Sequence, residues 1–326
     1  MKVFIIGPTW DTGGQAARIK QAFERYTDWT VRTMHRSVLF FKYPSDLPWD
    51  LELAKKVYDD SDVIHHRNGI LLYQQLDQGK HKPAVVHHHG SALRAHPYKS
   101  SEASAIGAVQ LVSTVDLLDD APMAEWLPAP YDLDAIRNKY RRSRRDNTIR
   151  IGHAPTNWKA KGTDEILHAL DKICMRHRNV EVDLIENVEW RACLSRKGLC
   201  DILIDQLTLG FGNNAVEAMA MGIPVVSGWQ DSGDRVRFLE ATGERPPFLE
   251  ANAKNLVDQL ELLVLNRELR EEWGALGRAY AERFHSEESI VVRLKAVYRR
   301  AQPTKDPHEQ KSGEVQMSVQ RLEMAG

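Results

Sequence analysis

CDILIDQLTLGFGNNAVEAMAMGIPVVSG, residues 200–228, is the stretch that decides the fold. A short apolar run, Asp201–Ile204, ends in a polar turn and a Gly-Phe-Gly loop. Asn213 and Asn214 then open an Ala/Met-rich helix that carries Glu217, and Gly222-Ile223-Pro224 breaks it before a second apolar run, Pro224–Ser227. Strand, glycine loop, helix and strand in that order make one βαβ unit, and apolar runs buried on both faces belong to parallel sheets. A helix start preceded by small residues is also a place where backbone N–H groups and the helix dipole hold a phosphate. A carboxylate one turn into that helix suits a vicinal diol such as ribose; the plain alternative is an exposed Glu on a surface helix.

The pattern extends in both directions. Upstream, strand-like runs fall at Val3–Ile6, Thr30–Met34, Asp62–His65, Ala84–His88 and Gln110–Ser113, and amphipathic segments such as Gln15–Tyr26 lie between some of them. After a polar, basic stretch between Pro130 and Thr148, further strands fall at Ile149–Gly152 and Val180–Ile185. Two doubly wound α/β domains in series are expected, 1–146 and 147–284. Three helical stretches follow Pro246-Pro247, the last being Glu287–Arg300. Residues 302–326 are polar and weakly periodic, which predicts a disordered tail.

Composition sets limits on function. With 326 residues, 42% of them hydrophobic and 27% charged, each domain can bury its own core. Lys and Arg total 44 against 45 Asp and Glu, a net charge of −1, which excludes a generally basic nucleic-acid-binding coat. The apolar runs are too short for a membrane span, and Val3–Ile6 is too short for a signal peptide. Cys174, Cys193 and Cys200 follow no metal-ligand spacing and read as thiols in a reducing cytoplasm.

Ligands of open α/β sheets bind at the carboxyl ends of the strands, and three more such ends carry unusual residues. GPTWDTGGQAAR (7–18) is either a phosphate-facing glycine loop or a plain tight turn; it matches neither a dinucleotide fingerprint nor a P-loop. In HHHGS (87–91), strand alternation sends His87 and His89 to one face and His88 to the other, so the three cannot converge on one metal. A histidine bonding a polar ligand fits better, with a structural role open for at least two of them. Lys161-Gly162-Thr163 opens a helix after the strand Ile149–Gly152, and joins a cation to free amides or simply caps the helix. No metal is called for.

Together, these residues resemble a retaining GT-B glycosyltransferase of the family-4 type. The likeness rests on G-F-G-x-x-x-x-E-A-M-A-x-G-x-P-V-V at 210–226, the N-terminal glycine loop, the strand ending in His-Gly and the Lys-Gly of the second domain, and it spans about residues 1–301. It implies a nucleoside-diphosphate-sugar donor as co-substrate, no separate cofactor, and retention at the anomeric carbon. Glu217 matches the Glu that holds the donor ribose, Lys161 the lysine that neutralises the diphosphate, and His89 the histidine that contacts the transferred sugar. Gly13 and Gly14 match a loop closing over the phosphates, and Gly210, Phe211, Gly212, Asn213 and Asn214 the loop that meets sugar and phosphate. The helix Glu287–Arg300 matches one that crosses back to the first domain. Two positions depart from the pattern. Leu209 stands where the first Glu of the family's Glu-x7-Glu motif falls, with Asp205 or Gln206 as substitutes, and His153 stands in place of the usual arginine.

The expected reaction is transfer of the sugar to a hydroxyl acceptor. The acceptor is a glycan, a lipid or a nucleic acid, the last two through the basic residues Arg137, Lys139, Arg141, Arg142, Arg144 and Arg145; a solvated linker explains those residues better. The alternatives are a sugar-nucleotide epimerase or phosphorylase on the same scaffold, and a non-catalytic nucleotide-sugar-binding protein.

Overall fold

Every strand expected above forms in the computed structural model, which describes residues 1–303 apart from 10, 37–41, 45, 143–146 and 231. The first sheet holds β1 (Lys2–Gly7), β2 (Thr30–His35), β3 (Val63–Arg67), β4 (Ala84–His88), β5 (Val109–Val112) and β6 (Glu125–Trp126). All its pairs are parallel, in the order β2-β1-β3-β4-β5-β6. The second holds β7 (Ile149–His153), β8 (Val180–Leu184), β9 (Ile202–Ile204), β10 (Leu209–Gly210), β11 (Val225–Trp229) and β12 (Leu249–Glu250), in the order β10-β11-β9-β7-β8 with β12 also on β11. Only the β10–β11 pair is antiparallel. The three two-residue strands β6, β10 and β12 are new, because two residues carry no readable period.

β1 and β3 through β5 are nearly continuous apolar or fully buried runs, as sheets covered on both faces require. One face of the first sheet packs Val3, Ile5 and Val85 against Ile19, Ala22 and Phe23 of the helix Gln15–Tyr26. The other face packs Phe4, Ile6 and Ile64 against Ala54 and Tyr58. The second sheet buries Ile151, Ile202 and Ile204 with Ile166, Leu170 and Leu260. A further cluster runs from Val112, Leu117 and Trp126 beside the first sheet to Met219, Phe238 and Phe248 beside the second, making one apolar body across the seam.

Residues 131–142 are more ordered than their polarity suggests. Leu133–Tyr140 is a helix, capped by the Asp132 side chain on Ala135 N–H, with Leu133 and Ile136 buried. It packs on the helices Asn213–Ala220 and Trp190–Lys197, and Arg278 clamps it through Leu133 O, Ala220 O and Asp134. Arg141 is half-buried and donates to Gly198 O and Cys200 O; Arg137, Lys139 and Arg142 are exposed. Arg144 and Arg145 lie outside the described residues, as do 304–326, where the disordered tail is expected.

The last helix, Glu287–Ala301, returns to the first sheet. Ile290, Val291, Leu294, Val297 and Tyr298 pack among Val3, Ile5, Ile19 and Phe23, and Tyr298 Oη bonds His65 Nδ1 at 2.8 Å. The two connections between the sheets meet where Tyr131 N–H donates to His285 O at 2.8 Å. Leu294 is fully buried, so Leu294→Ala should lower unfolding free energy by about 2–5 kcal/mol. Urea denaturation checks it, and a loss under about 1 kcal/mol would mean the helix contributes little to the first sheet's core.

Candidate active site between the two sheets

A cavity of about 290 Å³ opens where the carboxyl ends of both sets of strands gather. From the first sheet come His89 and Gly90 after β4, Ser113 to Asp116 after β5, and Trp126 of β6. From the second come Gln206 after β9, Leu209 of β10, Phe211 to Asn213 at the next helix start, and Trp229 of β11. Doubly wound sheets bind ligands at such strand ends. The cavity therefore lies where the topology directs it.

Gly13 and Gly14 have φ of 62° and 68°, the left-handed region. A Cβ on Gly13 would stand 2.1 Å from Asn213 Nδ2, so the bare glycine lets the first sheet's loop touch the second sheet's helix start. The adjoining helix start is already occupied. Asp11 accepts from Ala16 N–H (2.9 Å) and Ala17 N–H (3.0 Å) and pairs with the buried Arg67 at 2.8 Å. Those amides face an internal carboxylate rather than an open loop.

Lys161 and the Gly-Phe-Gly loop are brought together by Asp205. Lys161 Nζ reaches Asp205 Oδ1 at 2.6 Å, and Gly212 N–H donates to Asp205 Oδ2 at 2.6 Å. Gly210 takes φ 67° and packs against the Trp229 ring, while Phe211 packs edge-on to Phe238 and Tyr280. Asn214 is locked on both sides, donating to Ala154 O and accepting from Lys197. Of the two side chains offered as substitutes at the Leu209 position, Gln206 lines the cavity, and the Asp205 carboxylate is buried and spent on Lys161 and Gly212.

Two expectations change with this geometry. Glu217 is not a surface residue, nor does it line the cavity. It is 2% exposed, and its Oε1 accepts from Trp190 Nε1 (2.7 Å) and Arg18 Nη2 (3.2 Å) while Oε2 takes Lys197 Nζ (2.6 Å). Arg18 comes from the first sheet's helix and lies over the rings of Tyr131 and Trp190 at 4.0 and 5.0 Å. His153 is fully buried with Nδ1 on Ile204 O and Nε2 on Thr163 Oγ1, both at 3.0 Å, so no ring atom remains for a phosphate. An imidazole is short enough to be absorbed under the loop, where a long guanidinium would have to reach out.

The histidines sort as alternation requires. His65, His87 and His89 form a row with ring centroids 5.5 and 4.5 Å apart, and His88 turns to Gln110 at 2.9 Å. Among the described residues no group of three or more His, Cys, Asp or Glu is placed to hold a metal. The sequence does contain two Asp-x-Asp triplets, Asp60-Ser61-Asp62 and Asp132-Leu133-Asp134, and both are used structurally: Asp60 and Asp62 bond Lys2, and Asp132 and Asp134 bond Arg25 and Arg278. Arg18, Lys197 and Trp190 are the polar anchors that sequence reading missed, and Asp205 was singled out for the sugar rather than for Lys161. Each is an ordinary residue in its own segment, and only long-range pairing gives it a role.

Burial holds the histidines neutral. Desolvation pushes His65 down to about 3, His66 to about 4 and His285 to about 4, and lowers His87 and His89 well below the usual value of 6.5. Between 6.5 and those folded values the unfolded chain binds protons that the folded chain refuses, so stability is lost as pH falls. Each such group adds about 1.4 kcal/mol per pH unit to the slope. Unfolding free energy measured from pH 6.5 to 4.5 should fall with a slope of several protons; a slope below one proton would contradict the buried row. Separately, Lys197→Met strands the buried Glu217 and should cost about 3–5 kcal/mol in the same assay.

No protein-family profile matches the chain, and no curated protein matches it in sequence. Solved structures do match. An α-glucosyltransferase in complex with UDP and a 13-mer DNA containing a central A:G mismatch superposes with TM-score 0.67 at 14% identity, over 91% of this chain and 99% of that one. Anabaena Alr3699/HepE in complex with UDP gives TM-score 0.65 at 13% identity, over 91% and 99%. The catalytic domain of starch synthase IV from Arabidopsis thaliana, bound to ADP and acarbose, gives 0.58 at 11%, over 92% and 99%. At these identities the likeness is one of fold. The chain has the two-domain GT-B architecture, two Rossmann-like sheets facing across a cleft with the last helix crossing back.

Proposed function

We propose that the protein transfers a sugar from a nucleoside-diphosphate sugar to a hydroxyl acceptor, with retention of configuration and without a metal. The observation that carries this reading is the cavity at the carboxyl ends of both sheets, bordered by the Gly210–Asn214 loop with Lys161 beside it. A leaving diphosphate develops negative charge, and a fixed cation and a helix start stabilise it without reorganisation. In this reading Lys161 and the amides of Asn213 and Asn214 receive the diphosphate, and His89 on the cavity wall contacts the sugar. Glu217 lies behind the wall, so it meets a ribose diol only by giving up its bond to Arg18, a partner contributed by the other sheet. The exposed Arg137, Lys139 and Arg142 suit an anionic acceptor, lipid or nucleic acid, although a glycan needs none of them. Three unpaired cysteines fit a cytoplasmic setting, and among the described residues no helix is long and apolar enough to cross a membrane.

A second reading, nucleotide-sugar binding without transfer, draws on Leu209, an apolar side chain on the cavity wall where the resemblance has a carboxylate. A thermal-shift panel of nucleoside diphosphates and their sugars tests both. A ligand at 100 times its dissociation constant adds about 2.7 kcal/mol of stability, and donor hydrolysis or transfer in the same samples separates enzyme from binder. No shift with any nucleotide would remove the reading altogether.

Because Lys161 pairs with the fully buried Asp205, Lys161→Ala should lower stability as well as turnover. Adding Asp205→Asn should restore the melting temperature without restoring kcat/KM, since the cation for the leaving group is still missing. Full turnover in that double variant would make Lys161 a helix-start residue only. Activity should also persist in EDTA; silencing by chelator with rescue by added metal would refute the metal-free reading.

A further inference from the structure

The cavity has a chemical signature that the reading above does not use. Five side chains on its wall hold a buried polar atom with no hydrogen-bond partner among the described residues: Gln15 Nε2, His89 Nε2, Thr114 Oγ1, Trp229 Nε1 and His285 Nε2. Buried polar atoms left unpaired are costly, and although these five are shielded from the open cavity as it stands, a turn of the side chain would let a ligand or water in it complete them. Their chemistry is mixed. Trp229 Nε1 and Gln15 Nε2 can only donate, whereas His285 Nδ1 bonds the Ala129 carbonyl at 3.0 Å, which puts the proton on Nδ1 and leaves Nε2 an acceptor. Thr114 Oγ1 can do either.

Among the described residues the wall is also electrically neutral. Arg94 and Asp116 are the only Arg, Lys, Asp or Glu among them, and they pair with each other at 2.7 Å. The remaining surface includes Leu209, Phe211, Val216, Phe238 and the Trp126 ring. A carboxylate on the sugar ring only accepts hydrogen bonds and would find no unpaired cation among the described residues of this wall. A hydroxyl donates and accepts at once, and a pyranose ring offers apolar C–H faces to aromatic and aliphatic walls.

We infer that this cavity selects an uncharged sugar ring and rejects the corresponding uronate. The inference rests on the nucleotide-sugar reading and deepens it by naming the class of sugar. The ring belongs either to the donor or to a saccharide acceptor, and both share this chemistry.

The test uses matched pairs that differ only in CH2OH against carboxylate. In calorimetric titrations UDP-glucose should bind at least about tenfold more tightly than UDP-glucuronate, a difference of about 1.4 kcal/mol. Saturation-transfer NMR with methyl α-glucoside and with glucuronate repeats the comparison without a nucleotide. Methyl α-glucoside alone should show transfer. Loss of that signal on adding saturating UDP-glucose, but not UDP, assigns the ring to the donor; persistence assigns it to the acceptor. Leu209→Arg, folded by its melting curve, should reverse the preference in both assays. Equal or tighter binding of the uronate, an unchanged preference in Leu209→Arg, or no transfer from either free sugar together with equal nucleotide-sugar affinities would overturn the inference. If no nucleotide or nucleotide sugar binds while methyl α-glucoside still shows transfer and glucuronate does not, the donor reading fails and the neutral cavity stands.

Discussion

Glu217 is a carboxylate taken almost completely out of water, and such a group persists only if its neighbours replace the lost hydration. Lys197 and Trp190 do so from within the second half of the chain, and Arg18 does so from the first. Burial opposes the charge on Lys197, but Glu217 holds its ammonium above the ordinary range. The arrangement satisfies one buried anion and, through Arg18, makes the seam between the two sheets part of that satisfaction. Other features follow from it. Tyr131 is held in contact with the Arg18 guanidinium, the helix Asn213–Ala220 is fixed in rotation because Glu217 must face inward, and the Gly212–Asn214 loop at its start inherits that orientation. A cavity wall built on that loop is only as well placed as the ion cluster behind it.

The parts of the fold that were legible in the sequence are those governed by local period. Gln15–Tyr26 has its apolar residues at helical spacing, and the β-branched runs at 3–6, 84–88 and 149–152 are short, apolar and bounded by turn residues. The return of the last helix was legible through resemblance. Local period says nothing of β10 and β12, which are two residues long and owe their existence to β11 lying beside them. The helix Leu133–Tyr140 was hidden for a related reason: its two buried positions, Leu133 and Ile136, are outnumbered by charges that face solvent.

The site was legible in part. Spacing located the glycine loop, Lys161 and His89 at strand ends, and the structure gathers Gly212, Lys161 and Asp205 within hydrogen-bonding reach. The partners were not legible. Asp205 answers Lys161 from 44 positions away and Arg18 answers Glu217 from 199 positions away. Sequence can name a residue fit for a task, but whether its hydrogen-bonding capacity is still free is decided by contacts that no local pattern encodes. His153 illustrates this, since a ring suited to a ligand is used up by Ile204 and Thr163.

The chain passes from the first sheet to the second near Tyr131 and back near Ser286, and these two crossings lie side by side, joined by a backbone bond. Arg25 reaches Asp132 on the outgoing strand of the crossing and Glu287 on the returning one. Two tethers fastened at a common edge act as the spine of a book. Sliding or twisting of one sheet past the other would break both, whereas rotation about the spine would keep both and move atoms by an amount that grows with their distance from it. Contacts close to that axis keep their partners at every angle, while those on the far margins of the covers, however short in the closed form, set how wide the volume opens.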